Sequence, residues 1–207
     1  MPWKLDEQQI FLHRPHLDGL PDVPLPHGYR QLANSDALLP KWVGLLDTVF
    51  GGYSIDRVRP NIESDLWDPD RVKLVAKADQ IVALCMAWHE PRLWPRSGFV
   101  FWVAVVEGHR RRGPGSFVLG QALEHIARDG LRDAVVYTDE TRLPAMQMYL
   151  KFGFQPLITG TAADERDRWR RTFDQLGRRD LLTTIRDDYA RVADDKLSAS
   201  DILRQGK

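Results

Sequence analysis

The feature that most constrains this chain is an uninterrupted apolar run, Phe99 to Val106, leading directly into Gly108-His109-Arg110-Arg111-Arg112-Gly113-Pro114-Gly115-Ser116. Without polar alternation, such a run reads as a central strand covered on both faces. Beyond the loop, Phe117, Leu119, Leu123, Ile126 and Ala127 recur at helical spacing, so the order is strand, glycine loop, helix. A strand that delivers Arg110-x-x-Gly113-x-Gly115 onto a helix N-terminus makes an anion site. The first turn exposes unpaired N–H groups, the helix dipole adds positive potential, and glycine lets a phosphate approach the backbone closely. No Gly-Lys-Ser/Thr follows, and the ordered glycines of a dinucleotide fingerprint are absent. Taken alone, the loop serves equally well as a solvated basic turn before an ordinary helix.

The rest of the chain supplies the surroundings. From Gly28, the strand Tyr29-Arg30-Gln31-Leu32 leads to Asn34-Ser35-Asp36, an N-cap for a helix through Leu38, Leu39, Trp42, Leu45, Leu46 and Val49 that ends at Gly51-Gly52. A second helix is predicted from Ser54 to about Asp65. A hairpin follows, with Val72 to Ala76, a turn near Ala78-Asp79, and Ile81 to Trp88. After Asp129-Gly130, Ala134 to Tyr137 reads as a strand with Asp139 and Glu140 at its end, and Pro144 to Phe152 as a helix closed by Gly153-Phe154. Residues 1–28 hold five of the 13 prolines and three of the six histidines, which suits an extended covering arm. Residues 161–207 hold 11 Lys/Arg and 10 Asp/Glu and read as a surface helical appendix. Within it, one apolar stripe is Trp169, Phe173 and Leu176, and a second is Leu182, Ile185, Tyr189 and Val192. The predicted organisation is an arm (1–27), a central domain (28–160) and a charged helical appendix (161–207).

Composition narrows the function classes. With 207 residues, 43% of them hydrophobic, the chain can build one domain that buries roughly 70% of its unfolded surface. The 29 Lys+Arg balance 29 Asp+Glu, so no global electrostatic case exists for nucleic acid or an anionic membrane as partner. A single cysteine, Cys85, excludes an intrachain disulfide and a zinc cluster of several cysteines, which makes a reducing cytoplasm the expected compartment. The opening Met1-Pro2-Trp3-Lys4-Leu5-Asp6 has no apolar signal core, and the longest apolar run falls far short of a bilayer span.

A second segment gives the glycine loop its meaning. Thr138-Asp139-Glu140-Thr141-Arg142-Leu143-Pro144-Ala145 runs into Tyr149-Leu150-Lys151-Phe152-Gly153-Phe154. A glycine loop after a buried strand, followed by Ala145-x-x-x-Tyr149-x-x-x-Gly153-Phe154, resembles the GNAT superfamily of acyl-CoA-dependent N-acyltransferases. The resemblance covers about residues 28–157. It is closest to a bacterial subgroup with a Leu-Pro-x-Gly-Tyr entry, here Leu25-Pro26-His27-Gly28-Tyr29, that continues into a segment like Asp164-Glu165-Arg166-Asp167-Arg168-Trp169. It implies an α/β (α+β) fold with a mixed, mostly antiparallel sheet, flanked by helices and splayed between the fourth and fifth strands, where the pantetheine of acetyl-CoA lies. Val103 and Val105 would pair with the pantetheine through their backbones. The amides from Arg111 to Ser116, including Gly113 and Gly115, would hold the pyrophosphate, with Arg110, Arg111 and Arg112 adding charge. Tyr149 stands at the family's acid position, where it would protonate the departing thiolate. The acceptor implied is an amine on a small molecule or a protein. No metal is called for.

The general base stays open. The Phe99 to Val106 strand carries no carboxylate, so Asp139 is the first candidate, Glu90 and Glu140 are weaker ones, and a water chain to solvent is an alternative. The chain departs from the family pattern at Glu107, Arg111 and Pro114. Pro114 removes an N–H that a phosphate would use and biases Gly113 toward an extended conformation. A non-catalytic CoA-binding or partner-binding module on the same fold is therefore the rival reading. Among the remaining candidates, His13-x-x-His16 is interrupted by Pro15 and reads as no metal site, and Cys85 reads as a core thiol. His109 is expected to be pushed toward its neutral form by the adjacent arginines. Trp88, Trp94 and Trp102 read as core first and as an acceptor wall second. Acceptor choice falls to the Gly51-Gly52-Tyr53 loop, the His89 to Ser97 loop and the C-terminal segment.

Overall fold

The computed structural model describes residues 9–91, 94–159 and 163–187. Among these residues seven strands form one sheet: β1 (Gln9–Arg14), β2 (Arg30–Leu32), β3 (Val72–Lys77), β4 (Gln80–Trp88), β5 (Ser97–Val105), β6 (Asp133–Asp139) and β7 (Gln155–Leu157). Their order is β2-β3-β4-β5-β6-β1-β7. Every neighbouring pair is antiparallel except β5 and β6, which run parallel. Five α-helices accompany them: α1 (Leu39–Phe50), α2 (Ile55–Ile62), α3 (Pro114–Arg128), α4 (Leu143–Lys151) and α5 (Glu165–Leu176).

The period of two along each strand divides the apolar side chains between the two faces of the sheet. Val75, Cys85, Ala87 and Val100 pack under α3, α4 and α5, while Leu74, Leu84, Met86, Phe99 and Phe101 pack under α1 and α2. β4 is buried at every position after Gln80, because helices cover it on both sides. Two glycines set how closely α3 lies on β5. A Cβ at Gly98 would fall 2.2 Å from Ile126 Cγ2, and one at Gly115 would fall 2.9 Å from Val105 Cγ2. At its start α1 continues a 3-10 turn, Asp36–Leu38, after Ser35, and Gly51 ends it with φ 73. Ser54 caps α2 by accepting from Arg57 N at 3.2 Å.

Two segments differ from their sequence expectations, for one physical reason. The predicted covering arm contains β1, which pairs along its whole length with β6, from Gln9↔Asp139 to Arg14↔Ala134, and with β7 on its other edge. β1 thus fills the place next to β6, and β7, the strand directly after Gly153-Phe154, pairs with β1. Leu181 to Ile185 lies in or beside a 3-10 turn, Arg179–Thr184. Among the described residues after α5, Arg186 adds a short parallel bridge, to Leu157. Ile10, Phe11 and Leu12 are at most 3% exposed. Each such burial contributes roughly 1.5–3 kcal/mol, enough to draw a short proline-flanked segment into the sheet. Arg14 fixes the end of β1 by donating to Phe152 O at the C-terminus of α4, and to Asp18 O at 3.0 Å. The predicted appendix is likewise no separate surface unit, since Trp169 and Phe173 are fully buried in the α3/α4 core. Glu165 anchors α5 by accepting from Thr159 N at 2.6 Å and Thr159 Oγ1 at 3.0 Å. Leu182 and Ile185 pack against the same core, and Tyr189 and Val192 lie outside the described residues.

Candidate active site in the split of the sheet

β5 and β6, the fourth and fifth strands of the expected order, which did not count β1, part company halfway. Their ladder covers only Ser97↔Asp133 to Val100↔Val136, so β5 from Phe101 to Val105 has no strand partner on its β6 side. On its other side it stays paired to β4, with a bulge: Leu84 faces Ala104 and Met86 faces Phe101, leaving Trp102 and Val103 opposite Cys85 alone. The extra residue is accommodated at Trp102, whose φ is +53, a left-handed conformation that a bulky side chain seldom adopts. Phe101 and Trp102 consequently both pack toward α1 and α2, and Val103 turns toward α3 and α4. The free backbone edge and the bulge meet at the mouth of a cavity of about 570 Å³, to which Val103, Asp139 and Tyr149 all contribute.

At the outer end of β5 lies the glycine loop. Gly113 stands immediately before α3 with φ 97 and ψ −20. The extended conformation expected before Pro114 is not taken, because glycine, lacking a Cβ, is free to turn left-handed there. Arg111 is also left-handed, with φ 57. Among the described residues, the amides of Arg111, Arg112, Gly113, Gly115 and Ser116 have no backbone acceptor. Two left-handed residues beside a helix N-terminus therefore leave a concave row of N–H groups, the arrangement that suits a pyrophosphate. Arg111 and Arg112 are exposed beside it. Arg110 does something else: its Nε donates to Val105 O at 3.2 Å, occupying a carbonyl expected to face pantetheine.

The Leu25-Pro26-His27-Gly28-Tyr29 motif straps this loop from outside. Pro26 Cγ sits 2.8 Å from where a Gly113 Cβ would be. Tyr29 Oη lies 3.0 Å from His109 Nδ1, the two rings meet edge to face at 5.7 Å, and Lys77 Nζ is 5.1 Å above the tyrosine ring. His109 is held below its ordinary pKa by desolvation first and by Lys77 and Arg112 next. The direction matches the sequence expectation, but burial outweighs the like charges.

The inner end belongs to side chains. Tyr149 is 4% exposed, meets Phe154 edge to face at 5.8 Å, and has its phenol pKa pushed up by burial. Asp139 is the single carboxylate on the cavity wall among the described residues, and Arg142 Nε donates to its Oδ2 at 2.6 Å. The other two base candidates lie elsewhere. Glu140 is bound to α5 through Arg168 at 3.1 Å and Arg171 at 3.7 Å, and Glu90 does not line the cavity. Phe50, Tyr53, Trp102 and Tyr137 form an aromatic wall, with Trp102 Nε1 donating to Tyr53 Oη at 3.1 Å. Trp88 and Trp94 are core residues, 3% and 2% exposed. Of the segments expected to choose the acceptor, Gly51 and Tyr53 line the cavity, and no described residue of the His89 to Ser97 loop or the C-terminal segment does. Sequence reasoning missed Phe50, Arg57, Asn61 and the arginine role of Arg142. Only the clustering of Gly51, Gly52 and Tyr53 after a helix hinted at that wall.

Cys85 is buried and its thiol pKa is pushed up by desolvation, so it takes no part as a nucleophile. His13 faces Asp133, with Nε2 3.5 Å from Oδ1, and accepts from Arg186 at 3.1 Å, a structural pairing rather than a ligand set. Among the described residues, no group of three or more His, Cys, Asp and Glu is placed to hold a metal ion, and no helix is long and apolar enough to cross a membrane.

A split sheet with a free strand edge, a row of amides at one end and a cavity at the other defines the acyltransferase fold of the GNAT type. The sequence profile of the acetyltransferase (GNAT) family matches residues 42–154, more than half of the chain, and the chain belongs to that family. Curated relatives include two proteins named mycothiol acetyltransferase. That of Acidimicrobium ferrooxidans is 25% identical over 105 residues, or 50% of this chain and 34% of its own length. That of Corynebacterium aurimucosum is 27% identical over 112 residues, or 50% and 36%. The chain thus spans about a third of the length of these relatives. Among solved structures, a GCN5-related N-acetyltransferase from Sphaerobacter thermophilus shares the fold with a TM-score of 0.60 at 22% identity, over 72% of this chain and 48% of that one. An acetyltransferase of the family from Colwellia psychrerythraea gives 0.59 at 14% identity, over 72% and 52%.

Proposed function

We propose that this protein transfers an acetyl or other short acyl group from CoA to the nitrogen of an amine. The observation that carries the reading is the free edge of β5, which links the amide row at α3 to the cavity holding Tyr149 and Asp139. When bound, the acyl-CoA thioester supplies an activated acyl carbon; the amine nitrogen bonds to it, the carbon–sulfur bond breaks, and CoA leaves as the thiol. The N–H groups of Gly113, Gly115 and Ser116 bind the pyrophosphate, with Arg111 and Arg112 adding charge at the rim. The backbones of Val103 and Val105 orient the pantetheine arm, the latter once Arg110 lets go of its carbonyl. Asp139, oriented by Arg142, receives the amine's proton directly or through water. Desolvation keeps the Tyr149 phenol protonated and so able to give its proton to the departing sulfur, whose negative charge is equally costly in the same cavity.

Calorimetric titration with acetyl-CoA tests this reading, beside an Arg112→Glu variant that changes only an exposed side chain. Saturable binding, weakened by about tenfold or more in the variant, is expected for a pyrophosphate beside two arginines. Absence of binding at millimolar acetyl-CoA would overturn it in favour of a partner-binding module on the same fold. The hold of Arg110 on Val105 O and the donor lost at Pro114 are the observations that speak for that second reading.

A further inference from the structure

The cavity has a charge pattern of its own. Three ionisable groups other than tyrosines line it: Arg57, Arg142 and Asp139. Asp139 is matched by Arg142 at 2.6 Å. Arg57 has no carboxylate partner among the described residues; it donates to Gly52 O at 2.8 Å and stacks over the Tyr53 ring at 4.4 Å. Close by on the same helix, Asn61 is 2% exposed, lines the cavity, and has an Nδ2 with no hydrogen-bond partner. A buried amide donor left unpaired is destabilising, a cost that a bound acceptor atom would recover. The aromatic wall does not invite a cation at this end. The faces of Tyr53 and Phe50 already carry guanidinium groups, Arg57 at 4.4 Å and Arg142 at 4.8 Å. An ammonium group would meet occupied rings and an unbalanced positive charge. A carboxylate would meet a guanidinium fork and a buried amide donor.

We propose that the acceptor is a small amine that also carries a carboxylate, the carboxylate held by Arg57 and Asn61 and the amine directed toward Asp139 and Tyr149. The proposal rests on the acyltransferase reading for the role of the amine, but its anion-binding half is tested without acetyl-CoA. The probes are phenylpropionate, phenylalanine and phenethylamine, which share an aromatic body suited to the wall and differ in their charged groups. Binding is read by calorimetry and by ligand-observed NMR on the wild-type chain, on Arg57→Gln and on Asn61→Leu. Both carboxylates are expected to bind about tenfold tighter than phenethylamine, the difference that one charge-assisted hydrogen bond supplies. Arg57→Gln, at an exposed position, is expected to erase most of that preference with acetyl-CoA binding unchanged, and Asn61→Leu to reduce it. Phenethylamine binding as tightly as the carboxylates, no saturable binding of either carboxylate, or a preference intact in Arg57→Gln would each overturn the proposal. A carboxylate preference in a protein that fails to bind acetyl-CoA would instead remove the acyltransferase reading and leave the anion site standing.

Discussion

The two ends of the open β5 edge are made of different material. From Val105 to Ser116 the site is main chain: amides, two left-handed residues and glycines that let helix and strand approach. At the inner end it is side chain: rings, guanidinium groups, the amides of Gln9 and Asn61 and one carboxylate, drawn from β1, α1, α2, β5, β6, α4 and the loop after α1. A main-chain site depends on backbone conformation and recognises groups common to many ligands, such as a pyrophosphate. A side-chain site depends on which residues several elements bring together, and can be rebuilt for a new acceptor without disturbing the first. The difference predicts opposite responses to mutation, with function separable from stability at the inner end and tied to it at the backbone positions of the outer one.

The largest separation is expected at Tyr149. Tyr149→Phe keeps the ring against Phe154 and removes only the hydroxyl. Turnover should fall by about 10²-fold or more if the phenol is the acid, with acetyl-CoA affinity and Tm nearly unchanged. Steady-state kinetics with acetyl-CoA and an amine found by screening measures it; unchanged kcat would take the acid role away from Tyr149.

Gly113→Ala is expected to couple the two effects. The alanine would have to adopt φ 97 with its Cβ 2.8 Å from Pro26 Cγ. The left-handed strain alone costs roughly 1–2 kcal/mol, about 2–8 °C in Tm for a domain of this size. Acetyl-CoA binding should weaken in parallel, because the amide row turns with that residue. Adding Pro26→Gly should restore part of the stability by vacating the space. Loss of binding by Gly113→Ala with its Tm intact would break the claim that backbone conformation and recognition are one property at this glycine.

Tyr53→Phe is the smaller counterpart at the inner wall. It keeps the ring under Arg57 and leaves Trp102 Nε1 without its acceptor, at a cost of roughly 0.5–1.5 kcal/mol. KM for the amine should rise severalfold while KM for acetyl-CoA stays put. A matching rise in the second constant would mean that the wall also shapes the donor end.

The same contrast explains what was legible in the sequence. Gly113 and Gly115 behind an apolar run announce a main-chain site, since glycine spacing is a local signal for backbone conformation. The hairpin β3–β4 and helices α1, α3 and α4 were equally readable, because periodicity and caps are local. Arg57 and Asn61 were not, because nothing in Ile55–Ile62 says which side of that helix will meet a bulge at Trp102. β1 was hidden by its neighbours: prolines and histidines surround a short apolar segment whose partner strand lies well over 100 residues away. The strand that follows Gly153-Phe154, β7, is three residues long and pairs with β1. The Leu25 to Tyr29 motif is legible in sequence as a resemblance, whereas its physical role, strapping the glycine loop through Pro26 and Tyr29, emerges only in the fold.

That strap gives the smallest predicted effect, one of pH. His109 has its pKa lowered in the folded chain by desolvation and by Lys77 and Arg112, so the unfolded chain takes up the proton first as pH falls. Stability is then complete above the unfolded value of about 6.5 and declines as pH drops below it toward the folded value. His125 titrates with the same sign, lowered by burial and by Lys73, so the wild-type decline has two contributors. His109→Gln should remove one of them, making the Tm loss between neutral and mildly acidic pH shallower than in wild type. Tyr29→Phe should lower Tm at neutral pH, where the hydroxyl lies 3.0 Å from Nδ1, and in acid as well, where a protonated ring donates from Nδ1 to the hydroxyl oxygen instead. Parallel Tm curves for wild type and His109→Gln would show that the strap does not feel the proton, and would leave Pro26 on Gly113 as the contact that holds the outer end in shape.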